Sequence, residues 1–108
     1  MYRIVKSPLE ELEECKDKLD KGLYEKITRH LSRADYEYHP EFFPARVYYE
    51  RNRGDFSKVK NRLGDIGAQR NKKWHQKERY FRVDLDVRQI LILARSSLVR
   101  KIKKAKEK

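Results

Sequence analysis

Lys73, His75 and Arg82 lie close together in the sequence and carry the side-chain types that could cut or grip a phosphodiester. Cutting RNA takes a base for the 2′-hydroxyl, a cation for the charge on the phosphorane and an acid for the leaving oxygen. Lys73 and His75 are two positions apart, so in a strand they share a face. In Arg79 to Asp86, Phe81, Val83 and Leu85 alternate with Arg82, Asp84 and Asp86, the period of an amphipathic strand. That strand offers Arg82 to solvent from a rigid platform and sets it against Lys73 and His75 across a hairpin. A histidine such as His75, taken alone, is more often a surface residue than a catalyst, and His30 and His39 read as helix-surface and loop residues.

The surroundings suit a polyanion. Lys58, Lys60, Arg62, Arg70, Lys72, Lys77 and Arg79 join the first three residues and interleave with Trp74, Tyr80 and Phe81, pairing phosphate contacts with ring surfaces for bases. Across 108 residues, 28 Lys and Arg stand against 17 Asp and Glu, a net charge of +11. Each phosphate that such a chain neutralises releases condensed counterions, which makes nucleic acid the expected partner class, RNA and DNA alike. The competing reading is a solvated, ion-paired surface of a thermostable protein. No basic helix carries a bulky aromatic stripe for a membrane surface, and no segment approaches the roughly 20 apolar residues that span a bilayer.

Other chemistries find little support. Three His and one Cys show no CxxC or HxxxH spacing, and Asp84 and Asp86 sit where strand carboxylates pair with arginines, so no metal is expected. The four glycines are scattered and form no phosphate loop, and no cofactor is expected. Cys15 is the single cysteine, which rules out an internal disulfide and suggests a small buried group. The start of the chain lacks the apolar core of a signal peptide, and the expected location is cytoplasmic.

The elements that must position these residues read as one domain over 1–108. Tyr2, Ile4 and Val5 suggest a first strand; Ser7, Pro8 and Glu10 then start a helix with Leu9, Leu12, Cys15 and Leu19 on one stripe, ended by Gly22. A second helix carries Leu23, Ile27 and Leu31. Tyr36 to Gly54, with Pro40 and Pro44, reads as a long loop containing at most a short strand at Arg46 to Glu50. Asp55 caps a third helix with Phe56, Val59 and Leu63 inward, stopped by Gly64, and Arg70 to Lys77 supplies the strand before Arg79. The apolar run Ile90 to Arg95 reads as a buried partner strand, and Leu98 to Lys108 as a frayed basic helix. This order predicts an α+β fold, a small twisted antiparallel sheet on an N-terminal helical hairpin. An all-α alternative makes Asp86 to Lys104 one helix, with Asp86 and Gln89 as a capping pair.

In this order the chain resembles the RelE/ParE toxin superfamily. Tyr2 to Pro8 looks like that family's first strand and helix lead, Leu19 to Ile27 like its inter-helix break, Val59 to Gly64 like its Lys-Leu-x-Gly element, and Phe81-Arg82-Val83 like its Tyr-Arg-Val strand. The resemblance implies metal-independent, ribosome-dependent mRNA cleavage, or translation inhibition, and neutralisation by an antitoxin covering the basic cleft. Carried over, Arg82 stabilises the scissile phosphate, Lys73 and His75 occupy cationic strand positions, and Arg95 or Arg100 is the arginine after the last strand. The family's C-terminal Tyr is absent. A non-cleaving, ParE-like relative stays open. So does a non-catalytic basic subunit of a replication or ribosomal assembly, since Leu19 to Leu31 faintly resembles the helical domain of GINS replication subunits.

Overall fold

The computed structural model describes residues 7–33, 41–49 and 53–106, without the side chains of 53–55. The expected first strand at Tyr2 to Val5 and His39 lie outside these residues.

Helix α1 (Pro8–Glu14) begins where its capping signals place it: the Ser7 hydroxyl accepts from the Glu10 N–H at 3.3 Å and proline fills the first turn. A tight 3-10 turn, Lys16–Lys18, follows. The break then comes at Asp20 rather than Gly22, because the Asp20 carboxylate accepts from the Leu23 N–H at 2.8 Å and starts α2 (Lys21–Leu31). Leu12, Cys15, Leu19, Leu23, Ile27 and Leu31 are buried, whereas Leu9, expected on the same stripe, is 43% exposed.

The segment expected as a long loop holds a central strand of the sheet. Strand β1 (Phe43–Tyr49) buries Phe43, Ala45, Val47 and Tyr49 and turns the residues between them outward. Pro44 is tolerated there because its missing N–H falls at the last rung of a ladder, where its carbonyl still accepts from Ala105 N–H at 2.9 Å. Helix α3 (Arg53–Asp65) follows, starting two residues before the expected cap at Asp55. Gly64 does not stop it. Gly67 does, at φ 74°: Ala68 N–H donates to the Leu63 carbonyl and Gly67 N–H to that of Gly64, the paired bonds of a Schellman closure.

Strands β2 (Lys73–His75) and β3 (Tyr80–Leu85) form an antiparallel hairpin. The run expected as β3's other partner is instead helix α4 (Val87–Arg95). A reciprocal capping box decides this: the Asp86 carboxylate accepts from Gln89 N–H at 2.8 Å and the Gln89 side chain accepts from Asp86 N–H at 3.0 Å. The single helix of the all-α alternative shares that start but not its end, since the chain leaves helix at Ser96 and returns as β4 (Val99–Lys104). The tail expected as a basic helix is thus an edge strand. Its buried residues, Val99 and Ile102, lie three apart because a bulge opposite Tyr48 and Tyr49 inserts one extra residue.

The fold is α+β. Four strands in the order β2-β3-β1-β4, all antiparallel neighbours, with α3 and α4 as crossovers, make a split β-α-β topology. This topology hosts many unrelated functions and assigns none. Both crossovers and α2 bury their apolar residues against the inner face, Phe43, Ala45, Val47, Phe81, Val83, Leu85 and Ile102. The N-terminal helical pair closes the β4 edge. Leu19 bridges Ile102 in parallel, Asp20 N–H donates to the Ile102 carbonyl at 3.1 Å, and the Asp20 carboxylate accepts from Lys104 N–H at 3.0 Å. Among the described residues, no helix is long and apolar enough to cross a membrane.

Candidate nucleic-acid interface

The described helices bury their apolar residues against one side of the sheet, so among the described residues no helix covers its other, open face, and strand register decides what stands on it. Two rungs cross the four strands. In the first, Lys73 pairs with Arg82, Arg82 with Arg46 and Arg46 with Lys103. In the second, His75 pairs with Tyr80, Tyr80 with Tyr48 and Tyr48 with Lys101. One rung is a row of cations and its neighbour a row of rings ending in a cation.

Adjacent strands are about 4.8 Å apart, so the cationic rung spans about 14 Å. Like charges placed opposite one another across strands repel and weaken a sheet, so a row of four is retained at a cost. Only one carboxylate stands on this face among the described residues. It belongs to Asp84, which binds Arg82, Oδ1 to Nη1, at 2.8 Å. Part of the remaining repulsion is offset by ring faces: the Arg46 guanidinium lies 5.2 Å from the Tyr80 centroid, and Lys103 and Arg100 lie 5.2 and 5.7 Å from that of Tyr48.

The rings form a short stack of their own. His75 and Tyr80 are 4.5 Å apart at 21°, and Tyr80 and Tyr48 are 5.0 Å apart at 47°. Tyr80 is 8% exposed, enclosed by its neighbours and by Arg46. It holds the stack upright, leaving His75 and Tyr48, both half-buried, to present surface. A base can therefore extend the stack at an end but cannot lie on its middle ring.

The register thus brings Lys73, His75 and Arg82 onto one face, and Arg100 joins them through the bulge. Other residues expected at the site are elsewhere. Arg95 ends α4 on the helical side and pairs with Glu11 at 2.8 Å; it does not follow the last strand, and Arg100 lies inside that strand. Lys58, Lys60 and Arg62 are exposed on α3, across the core. Arg70 precedes the hairpin with its guanidinium 4.5 Å over the Phe42 ring, and Lys72 is half-buried beside β2. Lys77 and Arg79 are exposed in the β2–β3 turn, where Arg79 adopts φ 59°.

Two aromatic assignments change. Trp74 lies between Lys73 and His75 in a strand and so points to the other side, stacked 4.0 Å on Phe56 with its indole N–H donating to the Tyr49 hydroxyl at 2.9 Å. Phe81 is core, 2% exposed. His30, read as a helix-surface residue, is 5% exposed; it packs edge-on against Phe43 and faces Glu41 at 3.3 Å.

Arg46, Tyr48, Lys101 and Lys103 complete the rungs and were not singled out from sequence. The period-two burial of Phe43, Ala45, Val47 and Tyr49 is the signal that would have exposed the first two. Compared with known protein families, curated proteins and solved structures, the chain matches none.

Proposed function

We propose that the open sheet face binds single-stranded nucleic acid, with RNA as the expected natural ligand. The observation that carries this reading is the cationic rung Lys73-Arg82-Arg46-Lys103 beside the rung His75-Tyr80-Tyr48. A backbone laid across the strands meets the cations while its unstacked bases meet the rings, and base–ring stacking contributes about 1–3 kcal/mol per base. Duplexes hide their π faces, so the same surface favours single strands. Fluorescence anisotropy with labelled single-stranded RNA, its DNA counterpart and a duplex tests this. Single strands are expected to bind tighter than duplex, and Arg46→Gln or His75→Ala to weaken them, with Lys58→Gln on α3 having little effect. Equal losses from the α3 and open-face variants would remove the site from this face.

A second reading is a RelE-like, metal-independent endoribonuclease acting on ribosome-bound mRNA and neutralised by an antitoxin. It is favoured by one observation, the shared face of Lys73, His75 and Arg82. Against it stands the engagement of Arg82 by Asp84, which reduces the charge available to a phosphorane. Toeprinting on translated mRNA separates the readings: cleavage that His75→Ala abolishes supports the nuclease, and protection without cleavage supports binding alone.

A further inference from the structure

Arg82 differs from the rest of its rung. Its Nη1 donates to Asp84 Oδ1 at 2.8 Å, while Asp84 Oδ2 accepts from Asn71 Nδ2 at 2.7 Å and the Asp84 N–H donates to the Arg70 carbonyl at 3.0 Å. The Arg82 and Asp84 side chains are only 21% and 12% exposed. Asn71 reaches in from a left-handed backbone, φ 52°, a conformation asparagine adopts more readily than most residues. Arg82 Nη2 approaches the Lys106 carbonyl at 3.5 Å, a contact loose enough for a ligand to displace.

A carboxylate in contact cancels much of what a guanidinium offers a phosphate. Lys73, Arg46 and Lys103 carry no such partner among the described residues and serve that role better. What Asp84, itself held by Asn71, supplies to Arg82 is an anchor at Nη1 that restricts where its remaining donors point. An arginine that adds little net charge but has its donors held, in the middle of a cationic row, is suited to reading a pair of acceptors on a base edge. Guanine presents two adjacent acceptors, O6 and N7, where adenine presents an acceptor and a donor.

Resting on the reading that this face binds single strands, we propose that Arg82, positioned by Asp84 and Asn71, selects guanine in the bound strand. The donors freed toward solvent meet O6 and N7, the flanking cations hold the adjoining phosphates, and the ring stack takes a neighbouring base. Adenine in the same place opposes its N6 amino group to a guanidinium donor.

The test is anisotropy on uridine-rich RNA 10-mers carrying one central guanine, adenine, inosine or 7-deazaguanine. The wild type is expected to prefer guanine over adenine about tenfold. Inosine, which keeps O6 and N7, should behave as guanine, and 7-deazaguanine, which lacks N7, as adenine. The guanine-to-adenine ratio should fall close to one in Arg82→Lys and drop in Asp84→Asn. The modified bases probe the wild-type protein, so the result stands even where a variant folds poorly. Tight binding with no difference among the four bases overturns the selection and leaves the open-face reading intact. No binding to any of them overturns the open-face reading itself.

Discussion

Salt dependence gives the sharpest measure of the open face, because it counts cations. Arg46, Lys73, Arg100, Lys101 and Lys103 stand on the face without a carboxylate partner among the described residues, whereas Arg82 is paired with Asp84. For single strands each neutralised phosphate contributes about 0.7 to the slope of log K against log salt, so five contacts give about −3.5. Raising salt from about 50 to 200 mM then weakens binding on the order of a hundredfold. Replacing Arg46 and Lys103 together by Gln leaves three contacts, a slope of about −2.1 and a loss of about twentyfold over the same range. Anisotropy titrations at four or five salt concentrations read the slope directly. A matched Lys58→Gln, Lys60→Gln pair on α3 carries the same change in net charge on the other side of the core and should leave the slope near its original value. If both double variants flatten it equally, binding follows overall charge and the rung has no special part. If neither does, the nucleic acid lies elsewhere.

Two further expectations concern the scaffold. Asp20 caps α2 and also receives Lys104 N–H, so Asp20→Ala removes about 1 kcal/mol of cap and somewhat less from the exposed strand bond, lowering Tm by about 8 °C in a thermal melt. Asp20→Asn, which keeps a capping oxygen, should recover about half of that; an alanine variant melting with the wild type would mean the β4 edge is held by packing alone. Burial pushes the Cys15 thiol above its ordinary value, so its contribution to stability is complete below about pH 8.5, the unfolded value, and drains away as pH rises through the higher folded one. Tm should therefore fall less steeply above pH 8.5 in Cys15→Ala, and the native thiol should react with a disulfide reagent far more slowly than the unfolded one; equal rates would show that Cys15 is open to solvent.

How much of this was legible beforehand depends on how local each signal is. The starts of α1 and α4 are written in capping residues three positions apart, Ser7 with Glu10 and Asp86 with Gln89, and β3 in a clean period of two. The run Ile90 to Leu93 fits a buried strand or a buried helix by periodicity, and the capping box alone breaks the tie. Strand β1 was obscured by Pro44 and by tyrosines on both of its faces, Tyr48 outward and Tyr49 inward. Strand β4 was obscured by its bulge, which places Val99 and Ile102 at a helical spacing. The site inherits these differences. Lys73, His75 and Arg82 lie on one hairpin whose pairing is local, and sequence brought them together. Trp74 lies on the opposite face from them, since one residue of a strand reverses the face. Arg46, Tyr48, Lys101 and Lys103 come from the two strands whose patterns were hidden, and they meet the hairpin only through long-range register. A row of four cations is thus invisible as four scattered basic residues in a chain full of them. It becomes a site because β1 lies between β3 and β4, which stacks side chains tens of positions apart into one rung. The same dependence makes the proposal exposed to refutation: a one-residue slip of β1 would send Arg46 and Tyr48 into the core and break both rungs at once.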